Sequence, residues 1–88
     1  MDVEFDPEKA GANRRKHGVA FSDAEQVLYD PLGIVIEDPD AEGEHRYVCL
    51  GADALGRILV VAYTLRGDRV RLISARKASR GEIAQYHA

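Results

Sequence analysis

Residues 57–75 read RILVVAYTLRGDRVRLISA, and this stretch decides the fold. Its two halves are rich in β-branched and apolar residues, and the turn sequence Arg66-Gly67-Asp68 separates them. The first half is apolar on both faces, which is typical of a strand in the middle of a sheet. The stretch therefore predicts a β-hairpin, with strands at 57–65 and 69–75, at the centre of an antiparallel sheet.

Two further strands are predicted before this hairpin. The β-branched run Ile34-Val35-Ile36 is ended by Asp38-Pro39, and His45 to Leu50 is followed by a turn sequence at 52–56. The loop at 40–43 between them is acidic and small, and we expect it to be mobile. The economical interpretation is a four-strand antiparallel meander, to which the alternating Val3-Glu4-Phe5 can add an edge strand.

Three helices are predicted from their end signals. Asp6-Pro7 begins the first and Gly18 ends it, which gives Pro7 to His17. Capping-box patterns at 22–25 and 79–82 predict a second helix from Asp23 to Tyr29 and a short third helix after Ser79. We therefore expect an α+β protein whose helices pack on one face of the sheet, so that the other face or an edge is left for a ligand or a partner.

Size and composition limit the classes of protein and of site. With 88 residues the chain is expected to form a single domain, 1–88, with one modest core. It has no apolar run near the roughly 20 residues of a membrane helix and no signal-peptide pattern, so we expect a cytoplasmic protein without membrane contact. Cys49 is the one cysteine, expected as a small buried residue, and the three histidines are too scattered for a metal site. No metal and no cofactor are expected.

The charges are segregated along the chain, although the net charge is −3. Between Arg66 and Arg80 there are six basic residues and one acid, whereas from His17 to His45 there are eight acids and neither lysine nor arginine. A basic segment on an acidic protein indicates a local anionic ligand such as a phosphodiester. An exposed, solvated arginine-rich strand explains the same charges equally well.

Several residues can bind an anion such as a phosphate or transfer a proton to or from it. Regular strand alternation places Arg69, Arg71, Ile73 and Ala75 on one side and Val70, Leu72, Ser74 and Arg76 on the other. Arg76 then stands where a strand ends and a helix begins, with a guanidinium that can fork onto a phosphate or form a salt bridge to Glu82. The remaining candidates each have a structural alternative. Arg46, Glu44 and His45 can simply be exposed to solvent. Lys16 and His17 suit the C-terminus of a helix, and Tyr86 can pack in the core.

An ordered set of residues resembles the BrnT family of bacterial toxins nearly from end to end. It comprises Phe5-Asp6-Pro7, Asn13, Lys16-His17-Gly18, Phe21, Asp30-Pro31, Gly43-Glu44, Arg46, Gly51, Tyr63-Thr64, the run Arg71 to Ala78, Glu82 and Tyr86. The chain departs from the family pattern at Phe5, where tryptophan is more common, and at Ile83, where a basic residue is common.

The resemblance implies a RelE-like ribonuclease that cleaves messenger RNA on its open sheet face. In such enzymes the ribose 2′-hydroxyl attacks the adjacent phosphate, so that no metal is needed. The catalytic residues implied are Arg46, Arg76, His17 and Glu44, and the RNA-binding residues are Lys16, Arg71, Lys77 and Tyr86. The implied partner is a BrnA-like antitoxin, which alone would contact operator DNA. The alternative is a non-catalytic module that acts with a DNA-binding antitoxin as a transcriptional co-repressor.

Overall fold

The computed structural model describes residues 1–38 and 43–88. Within them the sheet order is β1-β5-β4-β3-β2, and the elements follow the chain as β1 (Asp2–Glu4), α1 (Pro7–His17), α2 (Phe21–Val27), β2 (Ile34–Glu37), β3 (Arg46–Ala52), β4 (Ile58–Arg66), β5 (Arg69–Lys77) and α3 (Arg80–His87). The predicted hairpin is β4–β5, and β4 is central as predicted. Most of the predicted acidic loop at 40–43 lies outside the described residues.

The sheet has five strands and is mixed, which corrects the prediction of a four-strand antiparallel sheet. Strands β2 to β5 do form an antiparallel meander, and the optional N-terminal strand is present as β1. However, β1 pairs parallel to β5, with Asp2 opposite Arg69 and Glu4 opposite Arg71. After the meander, β5 runs in the same direction as β1. The turn signals in the sequence do not predict that these two strands pair.

Helix α1 has the predicted bounds and caps. The Asp6 carboxylate accepts a hydrogen bond from the Glu8 N–H, and Gly18 adopts φ 70°, in the left-handed region that favours glycine. The side chain of Asn13 faces β5, where it accepts from the Ala75 N–H at 3.0 Å and donates to the Ala75 carbonyl at 2.9 Å. This pairing satisfies the edge of β5 beyond the point where β1 ends, and it fixes α1 against the sheet.

Helix α2 begins and ends two residues before the predicted positions. It starts at Phe21 after Ala20, which forms no side-chain cap, so the predicted capping box at Ser22 is wrong. The physical reason is burial: Phe21 is 2% exposed and its ring meets Phe5 edge-on at 5.5 Å, which outweighs a cap hydrogen bond. After Val27 the chain continues in tight turns rather than in helix.

The helices do not all pack on one face of the sheet, which corrects a second prediction. We define the helix face by Leu59 and Val61 of β4, which pack with α2 in the buried core, and the open face by Val60 and Thr64 of the same strand. Helix α3 lies on the open face, where its Glu82 and Gln85 border a small cavity with side chains of β2, β3 and β4. It therefore covers one end of the open face and leaves the other end exposed.

A β-bulge in β5 corrects the predicted sorting of its side chains. Tyr63 of β4 pairs with Leu72 and its neighbour Ala62 pairs with Ser74, so that Ile73 is the extra residue. Past the bulge the alternation is inverted, because a shift of one residue moves every later side chain to the other face. Arg71, Ser74 and Arg76 therefore share the open face, whereas Val70, Leu72 and Ala75 lie in the core.

Candidate active site

A row of three side chains crosses the exposed end of the open face. Arg46 of β3 and Arg71 of β5 both pair with Thr64 of the strand between them. Two strand spacings put the backbones of the two arginines roughly 10 Å apart. Thr64 is 1% exposed and donates from its hydroxyl to the His45 carbonyl at 2.6 Å, which holds the start of β3 in place. The two guanidinium groups can thus reach a common anion above a rigid threonine.

The two arginines of this row differ in their ion pairs. The guanidinium of Arg71 lies 3.9 Å from the Glu4 carboxylate, which Arg69 approaches to 3.8 Å as well. Arg46 is exposed and has no ion pair within residues 1–38 and 43–88. Long, partly exposed ion pairs are weak and easily exchanged. Within the described residues, the row therefore offers an anionic ligand two guanidinium groups, of which that of Arg46 has no ion pair and that of Arg71 is weakly paired.

Arg76 is engaged by Glu82 of α3. Its two terminal nitrogens donate to the two carboxylate oxygens of Glu82 at 2.8 and 2.9 Å, a bidentate fork. The Glu82 carboxylate also accepts from the Ser79 N–H at 2.8 Å, which completes the predicted capping box. The Arg76 hydrogen bond lowers the pKa of Glu82 to about 2. The salt-bridge alternative from the sequence is thus present, and an anion reaching Arg76 must displace a carboxylate.

Arg76 is also distant from the arginine row. It pairs with Val60, four positions along β4 from Thr64, and this interval corresponds to about 13 Å along the strand. The structure therefore unites Arg46 with Arg71 and separates both from Arg76. A ligand that contacts all three arginines must extend along the strands.

Lys16 and His17 lie together at the edge of the sheet. They line a groove of about 250 Å³ between α1 and β5, whose further lining includes Lys9, Asn13, Ile73 and Ser74. We call it the α1–β5 groove. Ser74 belongs both to this groove and to the open face, so that the groove joins the face at the bulge.

Glu44 and His45, the other candidates for proton transfer, both have charged partners. The Glu44 carboxylate lies 3.5 Å from the Arg66 guanidinium, and His45 Nδ1 lies 2.6 Å from the Glu37 carboxylate. All four side chains are exposed. They stand at the rim of the sheet beside Arg46, where either can exchange its partner for a ligand.

Lys77 and Tyr86 are not brought together with the other candidates. Lys77 pairs with Leu59, which places it on the helix-face side of β5. The Tyr86 hydroxyl donates to the Asp30 carboxylate at 2.5 Å and thereby ties α3 to the segment after α2. This hydrogen bond lowers the pKa of Asp30 and raises the pKa of Tyr86. Contact of Lys77 and Tyr86 with RNA stays a prediction.

Asn13 and Lys9 lie near the site and were not among the candidate site residues from the sequence, although Asn13 was part of the family pattern. Asn13 is 7% exposed and positions α1, and Lys9 adds a third basic side chain to the α1–β5 groove. The signal for both was helical spacing, because Lys9, Asn13 and Lys16 follow one stripe at i, i+4 and i+7. Within the described residues, no three histidine, cysteine, aspartate or glutamate side chains are grouped so that they could hold a metal ion. None of the helices there is long and apolar enough to span a membrane.

Comparison with known proteins gives two findings. The family model described as "Ribonuclease toxin, BrnT, of type II toxin-antitoxin system" matches residues 5–82. The crystal structure of the Brucella abortus ribonuclease toxin BrnT is similar to this chain with a TM-score of 0.68 and 26% identity, over 91% of this chain and 99% of that one. Among curated proteins, no relative matches.

Proposed function

This chain belongs to the BrnT family of type II toxin–antitoxin ribonuclease toxins, and we propose that it is a metal-independent endoribonuclease that inhibits translation by cleaving RNA on its open face. The observation that carries the proposal is the row of Arg46, Thr64 and Arg71, where two guanidinium groups can reach one anion. A relation to RelE-like ribonucleases, and a location in the cytoplasm, form part of the same proposal.

The proposed reaction is transfer of a phosphoryl group within the RNA strand. The ribose 2′-oxygen forms a bond to the adjacent phosphorus while the bond from phosphorus to the 5′-oxygen of the next nucleotide breaks. A base accepts the 2′-hydroxyl proton, and an acid returns a proton to the leaving 5′-oxygen. The products are a 2′,3′-cyclic phosphate and a 5′-hydroxyl.

Arg46 and Arg71 take the charge that develops on the phosphate. Preorganised donors at such a position stabilise the transition state more than the substrate. Both arginines project from rigid strands, one on each side of the buried Thr64. Arg76 binds the strand further along once the RNA has displaced Glu82, and it shares in charge stabilisation if the RNA brings the scissile phosphate to it. Guanidinium groups supply the positive charge, which is why the proposal needs no divalent ion.

The proton-transfer roles fall to His17 and Glu44. His17 lies in the α1–β5 groove, on one side of the open face, and Glu44 lies at the rim beside Arg46, on the other. The two groups thus flank the path of an extended RNA strand. An acid and a base on opposite sides of the scissile phosphate suit the transfer described above.

The experiment is cleavage of a labelled single-stranded RNA by substoichiometric protein, in EDTA and in magnesium. We expect equal cleavage in both, with 2′,3′-cyclic phosphate and 5′-hydroxyl ends. An activity that EDTA removes and one divalent ion restores would disprove metal independence. Absence of cleavage in both buffers would favour the alternative, a binding module that acts with a DNA-binding antitoxin as co-repressor.

A type II family implies an antitoxin partner, and we propose that it is BrnA-like and that operator DNA is contacted through it alone. An acidic and apolar antitoxin segment on the cationic face would neutralise the toxin. Co-expressed from one operon, the two proteins should elute together from a sizing column. Separate elution would contradict this part of the proposal.

A further inference from the structure

The α1–β5 groove collects three basic side chains in one place. Lys9, Lys16 and His17 line it, and none of them forms an ion pair within the part of the chain that the structure describes. Among the residues of the described chain that line it, none carries a carboxylate. Basic groups that converge without a carboxylate repel one another, so an anion bound between them is favoured.

The groove has a rigid floor. Asn13 lies between the basic residues on the same stripe of α1 and is fixed to Ala75 by two hydrogen bonds, and it donates a third to the Val19 carbonyl at 3.0 Å. The backbone of β5 is therefore held at a constant distance from α1. The backbone of a site built on such fixed elements loses little conformational entropy when a ligand binds, so that the cost falls mainly on the lysine side chains.

The groove opens onto the proposed cleavage face. Ser74 lines the groove and also shares the open face with Arg71 and Arg76, because the bulge at Ile73 inverts the alternation. Beyond Arg71, β5 is no longer paired with β1, so that no strand of residues 1–38 and 43–88 lies between the face and the groove. A strand that leaves the arginine row can therefore pass over Ser74 into the groove.

From this arrangement we infer that the α1–β5 groove is a second phosphate subsite, in which Lys9, Lys16 and Ser74 hold the phosphodiester of a nucleotide next to the cleaved one. The inference rests on the proposed function and adds Lys9 and Ser74 to the RNA-binding residues. Lysine ammonium groups bind the phosphate as point charges, and the Ser74 hydroxyl can donate to a phosphate oxygen. The subsite sets the direction in which the RNA lies, and it does not discriminate between bases because it contacts only the phosphate.

The test compares Lys9→Gln with Arg15→Gln, which removes one positive charge from an exposed position on the same helix outside the groove. The probe is a single-stranded RNA oligonucleotide methylated at every 2′-oxygen, so that it binds and is not cleaved. Loss of one phosphate contact should weaken binding about three- to tenfold and reduce the slope of log K against log salt by about 0.7. Arg15→Gln should leave both close to the wild-type values.

Cleavage of unmodified RNA separates the two proposals. If the wild type cleaves RNA and the two variants bind the methylated RNA alike, the subsite is disproved and the proposed function stands. If Lys9→Gln weakens the antitoxin complex and not RNA binding, the groove is a protein-docking site and the inference is wrong. If Lys9→Gln selectively weakens binding while the wild type cleaves no RNA, the groove binds RNA phosphates but the proposed function fails, and with it the place of the groove beside a cleaved nucleotide.

Discussion

The side chains of Arg71 and Arg76 project from the same face of the sheet, although the interval between them in the strand is odd. The extra residue at the bulge, Ile73, has no partner in β4 and inverts the alternation between the two arginines. Bulges commonly re-aim side chains next to functional sites. In this protein the bulge keeps Leu72 and Ala75 in the core and still directs both arginines outward.

The first prediction concerns the arginine row. Arg46→Ala and Arg71→Ala should each lower the cleavage rate about 10²- to 10³-fold, because each removes a preorganised donor to the developing charge. If both contact one phosphate, the double variant should lose less than the product of the two single losses. Single-turnover rates on one RNA measure this, and Arg14→Ala, which removes an exposed cation of α1, is the control. Full activity of Arg46→Ala would remove the row from the mechanism.

The second prediction concerns Arg76. Arg76→Ala should abolish toxicity on induced expression while the protein still folds and binds its antitoxin, and Arg76→Lys should restore activity only in part because the fork is lost. Losing the partly exposed pair with Glu82 should lower the free energy of unfolding by only about 1 kcal/mol. Growth curves and thermal midpoints of the antitoxin complexes measure the two effects. A variant that stays toxic, or that is harmless because it is unfolded, would make Arg76 a structural residue.

The third prediction concerns the stability of α3 in acid. The Glu82 pKa falls from 4.5 to about 2 on folding, so the stability it contributes is complete above about pH 5 and is lost as the pH falls through 2. Because both side chains are partly exposed, the contribution should be about 1 kcal/mol. The Glu82→Gln variant should therefore be less stable than the wild type at pH 7, and it should lose less stability than the wild type between pH 5 and pH 2.

Urea unfolding at several pH values measures this difference, with Glu25→Gln of α2 as the control. Glu25 has no ion pair within the described residues, so its variant should follow the wild-type pH dependence. Parallel curves for Glu82→Gln and the wild type would show that the pair contributes nothing to stability.

The fourth prediction concerns Asn13. Asn13→Ala leaves the Ala75 N–H and carbonyl without their partner at a buried position, and should lower the free energy of unfolding by about 2 to 3 kcal/mol. Arg15→Ala, at an exposed position of the same helix, should change it by less than about 0.5 kcal/mol. Chemical denaturation measures both. Equal stability of the two variants would show that α1 is held to β5 by other contacts.

Local chemistry in the sequence determined most of the elements. Asp6, Pro7 and Gly18 bound α1, Ser79 and Glu82 cap α3, and the apolar run at 58–62 marks the central strand. These signals act over a few residues through caps, turns and periodicity, so that they can be interpreted without knowledge of the fold. The ordered family residues likewise identified the toxin family, which the family model supports independently.

The tertiary structure decided which of these residues meet. The parallel direction of β1, the early start of α2 and the place of α3 on the open face depend on burial against distant segments, which caps and turns do not encode. The bulge at Ile73 is set by the pairing of β4 with β5, and it places Arg71 and Arg76 on the same face of the sheet and brings Ser74 to the α1–β5 groove. The sequence by itself thus determined the helices and strands and the positions of the basic residues along the chain. Long-range packing decided the face of the sheet from which those residues act.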